Sequence, residues 1–382
     1  MTRAVPALIR LVLIPLVLGS ATTHAQQVIR DELSCLRCEI VVESIARIGD
    51  GPGSVPLPGS VAAVDVDARG RYWVVVDQEP IMVFDAAGEF VATVGEMGDG
   101  PGELRFPSHV AMAEDAAIIF DGAPRAVIFD LDFNHVRTVA LTVRRLWEVA
   151  AVDGGGQVLV NGLSQPAGEV RLPFTVLDVT RSPAAIVHSF GPDLEDRSSR
   201  VGLYRLRHVL AAGADNTFWA AELQRYHLSR WRSDGERIDS LVRQPEWFSG
   251  VSRAMPLGGP ETEPDPAIAA IAQDSAGLLW VFIRVTRPGW RDTWAEWISQ
   301  HGPLPAGSAE LSGDEVPPPW DQMTTTVEVL DPRARRVVHR QTLDALVVNA
   351  LPGPRLVTYS ESAPAFDPVL EVIALRLDES GR

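Results

Sequence analysis

Val61-Ala62-Ala63-Val64-Asp65-Val66-Asp67-Ala68-Arg69-Gly70-Arg71-Tyr72-Trp73-Val74-Val75-Val76 is an apolar run, a tight turn and a second apolar run. Ile81-Met82-Val83-Phe84-Asp85 follows, turns at Ala87-Gly88 and returns as Phe90-Val91-Ala92-Thr93-Val94. β-Branched and aromatic side chains suit a pleated sheet, and Asp and Gly supply the turn conformations of a hairpin. The stretch reads as two hairpins in succession, four antiparallel strands in all.

The same block recurs to the end of the chain. Its first hairpin reappears at 110–120, 149–160, 209–220, 268–282 and 346–359. The second hairpin reappears at 127–141, 174–190, 228–242 and 327–343. The last copy lacks one strand after 369–377, and one strand to spare, 40–48, precedes the first copy. Residues 39–48 are therefore expected to pair antiparallel with 369–377, which removes two open sheet edges at once. Four strands per unit at roughly 40–50 residues is the signature of a propeller. The expected fold is all-β: a six-bladed β-propeller over 26–382, four antiparallel strands per blade, the N-terminal strand completing the C-terminal blade.

Gly49-Asp50-Gly51-Pro52-Gly53 and Gly98-Asp99-Gly100-Pro101-Gly102 share one string, and the second runs on as Glu103-Leu104-Arg105-Phe106-Pro107-Ser108-His109-Val110. With Val83-Phe84-Asp85 and Phe129-Asp130, this resembles the NHL-repeat pattern of a glycine-rich loop, an aromatic, a proline and an inner strand. The resemblance covers about residues 44–141, and the later blades lack the Gly-Pro-Gly loop. It implies a six-bladed propeller of a kind often exported by bacteria. Most such proteins resemble binding scaffolds, and a minority resemble lyases or lactonases with a metal in the central channel. Fold alone does not decide between them.

Arg3 and Arg10 flank the apolar run 8–18, and Thr23-His24-Ala25 ends the segment. This is the pattern of a signal peptide over 1–25, so the protein is expected to be exported, periplasmic or secreted. The run is short for a bilayer span, and no later stretch approaches one. The formal net charge is −16, and the 34 basic residues are all arginine. An acidic chain disfavours nucleic acid and anionic membrane as partners, and the lack of lysine excludes Schiff-base chemistry and a Walker-type loop. Cys35-Leu36-Arg37-Cys38 holds both cysteines. In an oxidising compartment the pair is expected to form a disulfide.

No nucleophile or metalloprotease motif is present, and no catalytic residue is assigned. Asp67, Asp115, Asp153, Asp215 and Asp274 recur once per blade, at turn positions. Residues entering the inner strands rim a propeller's channel: His109, Arg144, Arg145, Arg207 and His208. The arginines suit an anion held by fork hydrogen bonds. His109 and His208 are the metal ligands if there are any. Their bland reading is hydrogen bonding within the channel. An insertion at about 284–323 in the fifth unit carries Trp290, Trp294 and Trp297, one face of a short helix. Those indoles either cover a ligand at the channel mouth or pack the helix onto the propeller. Two functions stay open. One is a binding module for a small molecule, glycan or protein, monomeric and without a cofactor. The other is a metal-assisted lyase or lactonase, for which a divalent metal is required.

Overall fold

Runs rich in valine, isoleucine and alanine form the strands, and every tight turn between them carries the residues that permit it. The computed structural model describes residues 26–50, 54–122, 124–152, 156–164, 172–192, 206–213, 215–248, 263–302, 322–362 and 367–379. The signal-peptide expectation for 1–25, Asp153 and the whole 303–321 segment with Trp320 lie outside the described residues. The described chain begins with β1 (Gln27–Val28) and β2 (Cys38–Ile48). Blade one follows as β3 (Val61–Val66), β4 (Tyr72–Val76), β5 (Ile81–Phe84) and β6 (Phe90–Val94). A short parallel ribbon, β7 (Glu96–Met97) with β8 (Glu103–Leu104), leads to blade two. That blade comprises β9 (Pro107–Met112), β10 (Ala116–Asp121), β11 (Arg125–Asp130) and β12 (His135–Ala140). Blade three is β13 (Val143–Ala151), β14 (Gln157–Ser164), β15 (Phe174–Asp178) and β16 (Ala185–Phe190). Blade four is β17 (His208–Ala212), β18 (Thr217–Glu222), β19 (His227–Arg232) and β20 (Arg237–Val242).

Blade five is β21 (Ala267–Gln273), β22 (Leu279–Thr286), β23 (Met323–Asp331) and β24 (Arg336–Leu343), with helix α1 (Trp290–His301) between its second and third strands. Blade six is β25 (Leu346–Leu351), β26 (Arg355–Ser362) and β27 (Asp367–Glu379). Its fourth and outermost strand is β2, antiparallel to β27 with Ile40 opposite Leu377 and Ile48 opposite Leu370. The innermost strands touch in sequence from β3 around to β25, and β25 meets β3 again. Six apolar clusters fill the gaps, each shared by two neighbouring sheets. Burial between sheets, rather than within one, is therefore what holds the ring.

The turn aspartates do structural work. Asp67 accepts hydrogen bonds from the backbone of Arg69 and Arg71 and from the indole of Trp73. Asp274 repeats this with Ala276, Leu278 and Trp280. The N-terminal segment does more than the sequence suggested. Strand β1 runs parallel to β20 and makes blade four a five-stranded sheet. Ser34 and Cys35 then donate to the edge of β24, before the chain turns into β2. Cys35 and Cys38 are bonded at that turn. The segment is a strap across the rims of blades four and five.

Candidate functional site

Consecutive residues of the inner strands line the central channel, and many are alanines, including Ala63, Ala150, Ala211, Ala272 and Ala350. The few larger polar groups therefore stand out against a lining that leaves room. A lower cavity of about 240 Å³ is lined by Asp65, His109, Glu148, Gln273 and Asn349. An upper cavity of about 220 Å³, at the end where the inner strands begin, is lined by Trp147, Glu148, Arg207, His208 and Arg284. Glu148 belongs to both and marks the waist between them.

The two carboxyls of the channel resist ionisation. Asp65 accepts from the backbone N–H of Val66 at 2.8 Å and of Met112 at 2.9 Å. Burial outweighs those bonds and raises its pKa to about 6. Burial raises Glu148 to about 7; the charge of Asp65 adds to the rise, while a bond from the Val149 N–H and the Arg207 charge oppose it. Near neutral pH Glu148 is thus divided between a carboxylate and an acid able to donate. Burial lowers the pKa of His109, against a hydrogen bond to the Trp147 carbonyl. Its Nδ1 lies 3.0 Å from Ser108 Oγ.

In the upper cavity the cations dominate. Arg284 comes from β22, beside the insertion, and among the described residues it donates to the Val347 carbonyl at 3.5 Å. It forms no ion pair among the described residues, and its Nε is buried without a partner. Burial accordingly lowers its pKa. Arg207 stands beside Glu148, close enough to oppose the rise in its pKa.

The expected rim residues divide. His109 lines the lower cavity, whereas Arg207 and His208 line the upper one. His208 is buried, with Nδ1 donating to the Leu206 carbonyl at 3.0 Å and its ring edge against Phe174. The backbone of Arg145 pairs with Leu163, and its side chain, like that of Arg144, lies outside the described residues. His109 and His208 join no group of three metal-ligating side chains among the described residues. The one such group there, Cys35, Cys38 and Glu379, has its sulfurs in a disulfide.

Trp290 and Trp294 are 5% and 1% exposed and pack with Ile298 of the same helix. Trp297 is half-buried and stacks on His301 at 4.5 Å. None of the three lines the channel cavities. Sequence reasoning missed Asp65, Glu148 and Arg284. Their signal was the pattern itself: Asp65 and Glu148 are acids with apolar neighbours on either side in their inner strands.

Blade four holds a further relay. His227 Nδ1 lies 2.6 Å from Glu222 Oε1, and His227 Nε2 lies 3.0 Å from Ser240 Oγ. This is the connectivity of a carboxylate, base and nucleophile. Ser240 is 0% exposed, so the relay ties β18, β19 and β20 together out of reach of substrate.

The fold and channel define a six-bladed β-propeller with a polar, waisted bore. A family model described as "6-bladed beta-propeller" matches residues 59–158. A member of the duf4221 family from Bacteroides vulgatus is similar, at 10% identity and a TM-score of 0.58, over 90% of this chain and 99% of that one. So is a protein of Bacteroides fragilis described as exported, at 10% identity and a TM-score of 0.54, over 92% of this chain and 100% of that one. At such identities the likeness is one of fold. Among curated protein sequences, none matches this chain. Among the described residues, no helix is long and apolar enough to cross a membrane.

Proposed function

We propose that this protein is an exported binding module that takes a small anionic ligand into the upper cavity of its channel. One observation carries the reading: Arg284 is a largely buried guanidinium with no carboxylate partner among the described residues. A buried cation without a counter-ion is costly, and a bound anion is the group that offsets the cost. Arg207 adds a second cation on the cavity wall, and Glu148, when protonated, a hydrogen-bond donor. A cavity of about 220 Å³ suits a small organic acid or inorganic anion rather than a polymer. Support for export comes from the pattern of 1–25, the Cys35–Cys38 disulfide and the likeness to a protein described as exported.

The test is thermal unfolding with acetate, pyruvate, sulfate and inorganic phosphate. At least one of them is expected to raise the melting temperature of the wild type and to leave Arg284→Gln unmoved. Equal shifts in both proteins, or none in either, would overturn the reading. Binding is expected to weaken as pH rises through about 7, because Glu148 then becomes an anion beside the site.

A further inference from the structure

The turns of blades one, four and five can be superposed by their hydrogen bonds. The residue after the inner strand donates its N–H to the carbonyl four positions on: Asp67 to Arg71, Gly213 to Thr217, Asp274 to Leu278. Six positions on stands a tryptophan in each case: Trp73, Trp219 and Trp280. In blades one and five the aspartate takes the indole N–H, at 3.0 Å and 2.9 Å. Blade four has glycine there, and the Trp219 Nε1 is buried without a partner among the described residues. Trp219 itself is 1% exposed. An orphaned buried donor costs free energy unless something else accepts from it.

Where the missing carboxylate would sit, the molecule has a cavity. It measures about 620 Å³, opens on the turn face beneath blades four and five, and includes both Gly213 and Trp219 in its lining. It meets the lower end of the channel at Ala212 and Gln273, the opposite end from Arg284. Arg230 lies over the Trp219 ring at 6.0 Å and faces Asp239 across the β19–β20 pair. Arg333 and Arg335, on the same lining, form no ion pair among the described residues. The aspartates of the lining, Asp215, Asp239 and Asp274, leave the position at Gly213 itself without an acceptor, and Asp274 is engaged by Trp280.

We propose that this cavity binds a ligand carboxylate, which accepts the Trp219 indole N–H in the place that Asp67 and Asp274 occupy in blades one and five, with Arg333 and Arg335 at its rim. The carboxylate belongs either to a free organic acid or to the end of a peptide. The site is independent of the one proposed around Arg284.

Gly213→Asp restores the internal acceptor and is the decisive variant. Gly213 does not adopt a left-handed conformation, and an added Cβ would meet the Thr217 hydroxyl, which accepts from Arg230, at 2.6 Å and the Thr217 carbonyl at 3.2 Å, so Thr217 must shift to admit it. The indole N–H resonance of Trp219, identified by its loss in Trp219→Phe, is followed while succinate, succinamide, N-acetyl-diglycine and its amide are titrated. Succinate or N-acetyl-diglycine is expected to move it downfield to saturation, and the neutral amides are not. A response to succinate alone assigns a free acid; a tighter response to N-acetyl-diglycine assigns a peptide end. In Gly213→Asp the resonance should already be downfield and no longer respond. Arg335→Gln should fold normally and weaken binding about tenfold, the scale of one charge-assisted hydrogen bond. Arg284→Gln should change nothing here. A resonance that ignores both acids, or follows the amides equally, would overturn the proposal, whether or not Gly213→Asp folds.

Discussion

Blades one and two each carry a buried ion pair closed within one turn, whereas blades four and five also share one that draws on distant segments. In the first pair, Asp67 and Asp121 each hold an arginine four residues on, Arg71 and Arg125, at 2.7 Å with the carboxylate fully buried. In the second pair the shared buried anion is Glu328. It takes Arg340 from the neighbouring strand, the hydroxyl of Tyr226 and the guanidinium of Arg243. Arg243 also grips Asp31 of the N-terminal strap. The same architecture is stitched by a repeat motif on one side and by sequence-distant charges on the other. A local motif needs only its own hairpin to form, and Arg340 likewise meets Glu328 within one hairpin, but Tyr226, Arg243 and Asp31 join the network only when separate segments are in place.

The largest test of this contrast is Glu328→Ala. It leaves the buried Arg243 with Asp31 alone and strips half-buried Arg340 of its anion, and should cost about 3–5 kcal/mol in urea unfolding. A cost under about 1 kcal/mol would show that the strap and blade packing suffice without the network. Asp67→Ala should cost less, about 2–3 kcal/mol, since it orphans Trp73 Nε1 and frees Arg71 but leaves every distant contact intact. If Asp67→Ala proves the more damaging of the two, the division between local and distant stitching fails.

The smallest effect concerns the channel. Glu148 rises from 4.5 to about 7 in the folded protein, so its contribution to stability is full below about 4.5 and is lost as pH rises through about 7. Glu148→Gln is neutral at every pH. Its stability relative to wild type should therefore be even below about 4.5, grow as pH climbs from there to about 7, and level off above. His109 and His208, whose pKa values burial lowers, titrate in both proteins and cancel from the difference. Denaturant midpoints across that range measure it, and a difference independent of pH would mean that the Glu148 carboxyl ionises as freely in the channel as in water.

Legibility followed the same line as the stitching. The hairpins, their aspartate turns and the closure of blade six by the N-terminal strand were readable, because each depends on period-two alternation and on turn residues within one segment. The strap was not: Gln27-Val28 is too short to announce a strand, and only the open edge of β20 makes it one. The channel was half legible. Inner-strand entrances pointed to His109, Arg207 and His208, but Arg284 sits at the exit of a second strand, and Asp65 resembled one more acid near a turn. The tryptophan stripe reads as a helix and is one, with Trp290 and Trp294 packed on Ile298.

The sequence by itself determined the number of blades, their four-strand make-up and the way the ring closes, because these follow from short-range patterns repeated along the chain. Tertiary structure alone decided which charges meet. Whether an arginine is paired, as Arg71 is, or left facing a cavity, as Arg284 is, depends on strands far apart in sequence converging on one axis. Desolvation is a property of that convergence. It gives Glu148 and Asp65 a chemistry that the same residues, read in line, do not possess.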